Sequence, residues 1–168
     1  MSKAPESMKH PETGIALYRA VRPVAVFYGE TSETANLLGW FPEDPALVDM
    51  GVLTPADCKF YDRIFNKLKA QAEGFLTPAE VRRIRRRLKL GGRPVTQVMA
   101  GEIICADMKA FRRYEAGDAV VPREVDCALR LLDERPTALA ILPLAQRYLQ
   151  AADQGTSPPQ LGGIGEIE

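Results

Sequence analysis

Lys109, Arg112 and Arg113 fall at positions i, i+3 and i+4, which places all three cations on one face of a helix. Lysine and arginine donate to phosphate oxygens. An arginine fork can also give two parallel hydrogen bonds to O6 and N7 of guanine, and Arg113 is the candidate for that contact. The competing reading pairs one of the arginines with Glu115 or Asp118 at the surface. Thr96 and Gln97 open a helix, where a hydroxyl and an amide beside the positive end of the helix dipole suit a phosphate. Upstream, Arg82, Arg83, Arg85, Arg86, Arg87 and Lys89 go round most of a helix, so only a subset can share one surface, with Arg86 and Lys89 as the candidates.

These residues lie in one charged stretch. Residues 76–115 carry 10 basic and 4 acidic side chains, net +6, whereas residues 1–75 are net −2 and residues 116–168 net −4. The whole chain balances at 22 Lys and Arg against 22 Asp and Glu. That balance excludes a globally basic nucleic-acid coat and a strongly acidic disordered chain. A local positive field suits a phosphate backbone, with the flanking acids limiting non-specific adhesion. The alternative is a solvated helix face.

The 168 residues, 46% hydrophobic and 26% charged, fit one ordinary globular domain or two small ones. The longest apolar runs, such as Val24–Tyr28 and Ala138–Leu142, fall far short of the roughly 18 residues a membrane span needs. No apolar segment marks the start as a secretory signal. Cys58, Cys105 and Cys127 are far apart, which argues against a disulfide framework or a cysteine zinc site and suggests buried thiols in a reduced, cytoplasmic protein. No Ser/His/Asp set, phosphate-binding glycine loop or carboxylate pair stands out, so the expectation is a binding protein without cofactor rather than an enzyme.

The elements that must position these residues follow from punctuation and periodicity. Residues 1–13 read as a loose lead-in, with His10 in a flexible segment. Ile15–Arg22, Val24–Tyr28 and Leu37–Trp40 read as three short strands, with turns at Arg22-Pro23 and Gly29-Glu30. Thr54 and Pro55 start a helix that Gly74 ends. Trp40, Phe27, Tyr28, Leu38 and that helix form the expected core of a first domain, residues 1–75. Thr77-Pro78-Ala79-Glu80 starts a basic helix with Val81, Ile84 and Leu88 inward, closed by Leu90 and Gly91-Gly92. Arg93-Pro94-Val95 reads as a loop. Helices Thr96–Ile104 and Met108–Ala116 follow, separated by a turn at Cys105–Asp107. Arg123–Asp133 and Thr137–Leu149 complete five helices in residues 76–150. Residues 151–168 read as a disordered tail. The fold class is therefore α+β: a small antiparallel sheet with a helix, then a helix-turn-helix domain with supporting helices.

The run Thr96-Gln97-Val98-Met99-Ala100, a turn, then Ala110-Phe111-Arg112-Arg113-Tyr114-Glu115-Ala116-Gly117 resembles the Xre/Cro-like helix-turn-helix. It is more similar to the MqsA-type antitoxins of bacterial toxin–antitoxin pairs, whose pattern is T-Q-x-x-A, a glycine-rich turn and N-A-F-x-[RK]-Y-E-x-G. Leu76–Arg85 and Ala128–Pro136 are similar to the family's flanking helices. Three features depart from the pattern. Gly91–Val95 is an insertion, Cys105-Ala106-Asp107 replaces the glycine trio, and Lys109 replaces the asparagine. The family's N-terminal C-P-x-C and G-[WY]-x-C-x-x-C, whose thiolates hold zinc, correspond to Lys9-His10-Pro11-Glu12-Thr13-Gly14 and Gly39-Trp40-Phe41-Pro42-Glu43-Asp44-Pro45, without a cysteine. His10, Glu12, Glu43 and Asp44 remain a weak metal alternative to a zinc-free domain.

The resemblance implies a homodimeric antitoxin-like repressor. It would bind double-stranded operator DNA with Thr96, Gln97, Lys109, Arg112, Arg113, Arg86 and Lys89, and a cognate toxin with its N-terminal domain. The alternatives are a stand-alone regulator that has lost its toxin, and an interaction module that no longer binds DNA.

Overall fold

The structure is a computed structural model that describes residues 7–155. The fold is α+β, with a three-stranded antiparallel sheet followed by a helical region. The chain divides into two compact units. One runs to Pro78 and takes in Ala116–Val121; the other comprises Ala79–Glu115 and resumes at Pro122.

In the first unit, strands β1 (Ser7–Lys9), β2 (Ala16–Tyr28) and β3 (Thr31–Phe41) lie in that order, with Tyr18 opposite both Ser7 and Phe41 and Tyr28 opposite Thr31. Two expected strands are thus one, running through Pro23. A proline gives no N–H to a ladder; Pro23 stands opposite Asn36 of β3, and among the described residues β1 pairs only with Ala16–Tyr18. The third strand begins at Thr31, not Leu37, because the two-residue turn at Gly29-Glu30 pairs the strands at once.

The expected loose lead-in holds β1 and an ordered turn. The His10 N–H donates to Ile15 O at 2.8 Å, and its Nδ1 accepts from the N–H groups of Glu12 and Thr13 at 3.1 and 3.2 Å. A 3-10 helix, Pro45–Met50, is capped by Asp44, and Val52 exchanges two backbone hydrogen bonds with Trp40. Helix α1 (Pro55–Glu73) packs on β2 and β3 and ends in left-handed Gly74. The core is Leu17, Val26, Leu37, Trp40, Phe41, Leu68 and Ala70. Phe27 and Leu38, expected inside, are exposed, whereas their neighbours Val26 and Leu37 are buried.

The Arg19 guanidinium grips both oxygens of buried Asp57 at 2.6 and 2.8 Å and stacks over the Trp40 ring. Asp57 also accepts from the Thr54 N–H and hydroxyl, fixing the start of α1. Arg19 above all holds the Asp57 carboxyl far below its usual range. Segment 116–121 is fastened to α1 through Arg63–Asp118 at 2.7 Å and Asn66 Nδ2–Gly117 O at 2.9 Å.

The second unit begins with α2 (Pro78–Arg87), whose Val81 and Ile84, with Leu88, form the expected inward stripe. A hairpin of β4 (Lys89–Leu90) and β5 (Arg93–Pro94) replaces the expected loop. Its turn is Gly91-Gly92, both at positive φ, which glycine adopts without steric cost. Then come α3 (Gln97–Ala100), continued by a π-helical turn over Gly101–Cys105, and α4 (Ala110–Ala116). The helix expected over Thr96–Ile104 therefore changes winding at Gly101.

Helix α5 (Arg123–Glu134) buries Val125, Leu129 and Leu132. The single last helix expected at Thr137–Leu149 is a 3-10 helix, Pro136–Ile141, then α6 (Pro143–Asp153), because Pro143 cannot continue the preceding turn and instead starts a new helix. Of the expected disordered tail, residues 151–153 complete α6, and residues 156–168 lie outside the described residues, as do residues 1–6.

Candidate nucleic-acid interface

Helix α4 is amphipathic over two turns. Ala110, Phe111, Tyr114 and Glu115 are buried, while Lys109, Arg112 and Arg113 are exposed. The structure thus brings these three expected site residues onto one outer face. The helix is started by Asp107, whose Oδ1 accepts the Lys109 N–H at 2.8 Å and whose backbone carbonyl accepts the Ala110 N–H at 3.1 Å. The turn before it is tight. Ala106 is the one non-glycine residue at positive φ among the described residues, at 52°, and a Cβ on Gly101 would lie 2.3 Å from Asp107 O. Both helices of the motif therefore approach each other through a backbone contact that only glycine permits at position 101.

Helices α2, α3 and α4 are tied together by one buried carboxylate. Glu115 accepts from Arg85 Nε at 2.5 Å and Nη2 at 3.1 Å, and from Gln97 Nε2 at 2.8 Å. Arg85 Nη1 donates to Val95 O at 2.9 Å, and Arg82 Nη2 donates to Glu115 O at 2.9 Å. Burial pushes the Glu115 carboxyl up, but Arg85, Gln97 and Arg82 together overcome it and hold the group below its ordinary value. Sequence reasoning treated Glu115 only as a surface partner for Arg112 or Arg113. Its place four residues after Phe111, on the inner face of α4, signals its burial. Gln97, expected to face phosphate, places one amide N–H on Glu115. Thr96 is exposed and caps α3 by accepting the Met99 N–H at 3.2 Å.

Ion pairing sorts the basic stretch. Arg82 and Arg85 engage Glu115, Arg83 and Arg87 engage Asp133, and Arg113 engages Asp107 at 2.5 Å. Among the described residues, Arg86, Lys89, Arg93, Lys109 and Arg112 are exposed and have no ion pair. Arg86 and Lys89 are therefore the members of the upstream run left for a partner. Arg93, on the β4–β5 hairpin, joins them and was not foreseen, since that segment read as a loop. Asp118, the other expected partner for the α4 arginines, is held by Arg63.

The expected buried thiols are only partly so. Cys58 and Cys105 are half-buried, and Cys127 is exposed because it follows the inward Asp126 on α5. Burial and neighbouring Asp107 push the Cys105 thiol up to about 11, so it stays protonated. The residues standing where the resemblance implies zinc thiolates do not build a zinc site. His10 Nδ1 is turned onto backbone N–H groups, Asp44 caps a 3-10 helix, and no three His, Cys, Asp or Glu side chains gather among the described residues. Among those residues no helix is long and apolar enough to cross a membrane.

Residues 10–142 match the family described as the antitoxin component of the bacterial toxin–antitoxin system, MqsA. No curated protein matches the sequence. The match covers most of the chain, which therefore belongs to the MqsA antitoxin family.

Proposed function

We propose that this MqsA-family chain is a cytoplasmic, non-enzymatic antitoxin that represses its own operon. A homodimer reads a palindromic operator by laying the outer face of α4 in the major groove, and the first unit holds a cognate toxin. The observation that carries the reading is the row Lys109, Arg112 and Arg113, exposed on a helix fixed from beneath by Phe111, Tyr114 and Glu115. In this reading Arg113 and Lys109 face base edges. Arg112, Arg86, Lys89 and the start of α3 at Thr96 and Gln97 meet phosphates. Lysine where the resemblance has asparagine shifts readout from adenine toward guanine or phosphate.

The test is a salt-series titration of the full chain on the DNA upstream of its own reading frame, beside the double variant Lys109→Ala with Arg113→Ala. The expected result is sequence-specific binding that the double variant loses. Binding equal to that on random DNA and unchanged by the substitutions would overturn the reading. The absence of the four zinc thiolates favours a second reading, a stand-alone regulator without a toxin. A small ribonuclease-like protein encoded beside this chain and bound by it would decide for the first.

A further inference from the structure

Asp107 is an acid on a surface otherwise built for an anion. It lies at the start of α4, beside Lys109 and within reach of Arg113, where the resemblance has a glycine. An unpaired carboxylate there would repel a phosphate backbone. Both of its oxygens are occupied. Oδ1 is anchored to the backbone by the Lys109 N–H, and Oδ2 accepts from Arg113 Nη2 at 2.5 Å.

The geometry follows from helix construction. Side chains tilt toward the N-terminus of a helix, so Arg113 reaches back along the outer face over the turn that carries Lys109. An exposed arginine otherwise samples many rotamers, and selecting one costs side-chain entropy. Asp107 selects one in advance. It uses one N–H of the fork and leaves Nη1 and the second Nη2 hydrogen free. The free hydrogens suffice for the two-bond contact to guanine O6 and N7.

We infer that Asp107 is a positioning residue that buttresses Arg113 for guanine readout, so that an acidic side chain on the DNA-facing surface sharpens specificity at the expense of general DNA affinity. This rests on the operator-binding reading above. It goes beyond it by assigning a role to a residue that contacts no base itself.

The test substitutes Asp107→Asn in the full chain. Asparagine caps a helix as well as aspartate, so thermal stability serves as the control for α4. Wild type, Asp107→Asn, Arg113→Ala and the double variant each select from a library of duplexes with a randomised centre, and the selected sites are titrated beside single-base changes. The expected result is a wild-type guanine at one position of each half-site. Its preference should fall about tenfold in Asp107→Asn, toward that of Arg113→Ala, with no further fall in the double variant. Affinity for a non-specific duplex should stay level or rise.

Two results would overturn the inference alone: Asp107→Asn keeping the wild-type guanine preference, or binding more tightly with that preference intact, which would make Asp107 a competitor for Arg113. A wild type that selects no sequence would overturn the operator-binding reading and this inference with it.

Discussion

Removing the Glu115 carboxylate is the sharpest perturbation of the second unit. Glu115 is 4% exposed, and the Arg85 side chain it holds is 14% exposed. Glu115→Ala leaves that largely covered guanidinium with only Val95 O as an acceptor, and also releases Gln97. Breaking a buried pair from one side costs about 3–5 kcal/mol, because the remaining charge is stranded. Removing both partners strands nothing. Arg85→Ala with Glu115→Ala should therefore cost less than the sum of the singles, by about 1.5–3 kcal/mol.

The assay is urea unfolding of wild type, both singles and the double, followed by far-ultraviolet circular dichroism and closed as a double-mutant cycle. Glu115→Gln, which keeps an acceptor but loses the charge, should fall between wild type and Glu115→Ala. Costs within about 0.5 kcal/mol of wild type, the range of ordinary surface changes, would refute the reasoning. So would single effects that simply add.

The turn between α3 and α4 makes paired predictions of opposite sign. Gly101→Ala forces a methyl group against the Asp107 carbonyl and should destabilise by about 1–3 kcal/mol, whereas Ala106→Gly relieves a left-handed alanine and should stabilise by about 0.5–1 kcal/mol, both read as shifts in the unfolding midpoint. Asp57 and Glu115 are both held below the ordinary carboxylate range, so the unfolded chain takes up their protons first as pH falls. Their contribution should be complete at neutral pH and lost progressively below about pH 4, with Asp57→Asn flattening the dependence in thermal melts. Arg86→Ala should leave stability unchanged and lower the salt slope of DNA binding by about 1, while Arg83→Ala, whose side chain serves Asp133, should lower it less.

The legible parts of this fold were those set by local chemistry. Thr54-Pro55 and Gly74 bracket α1, and the spacing of Val81, Ile84, Leu88 and of Val125, Leu129, Leu132 gave the inner faces of α2 and α5. The outer face of α4 was equally readable, because Lys109, Arg112 and Arg113 share the period that sends Phe111 and Tyr114 inward. What escaped depends on partners distant in sequence. Pro23 reads as a break, but pairing with β3 carries β2 straight through it, in register with Asn36. Phe27 and Leu38 read as core because hydrophobicity alone does not reveal which strand positions are covered; Val26 and Leu37 beside them are the buried ones.

The same holds for charge. Ten cations in residues 76–115 look alike in sequence, and only the fold assigns Arg82 and Arg85 to Glu115, Arg83 and Arg87 to Asp133, and Arg113 to Asp107. Two further local signals are present. The Gly-Gly pair at Gly91-Gly92 is a hairpin turn signature, and Asp107 shortly before a helix start is a capping residue.

The proposed reading of DNA by the outer face of α4, with Arg113 in the major groove, is open to methylation interference. Operator DNA methylated at guanine N7 is bound by wild type and by Arg113→Ala, and the bound fraction is sequenced. The account predicts that wild type excludes DNA methylated at one guanine in each half-site, the two lying about one helical turn apart or a multiple of it, and that Arg113→Ala loses this exclusion. Binding indifferent to N7 methylation, or interference unchanged in Arg113→Ala, would contradict it.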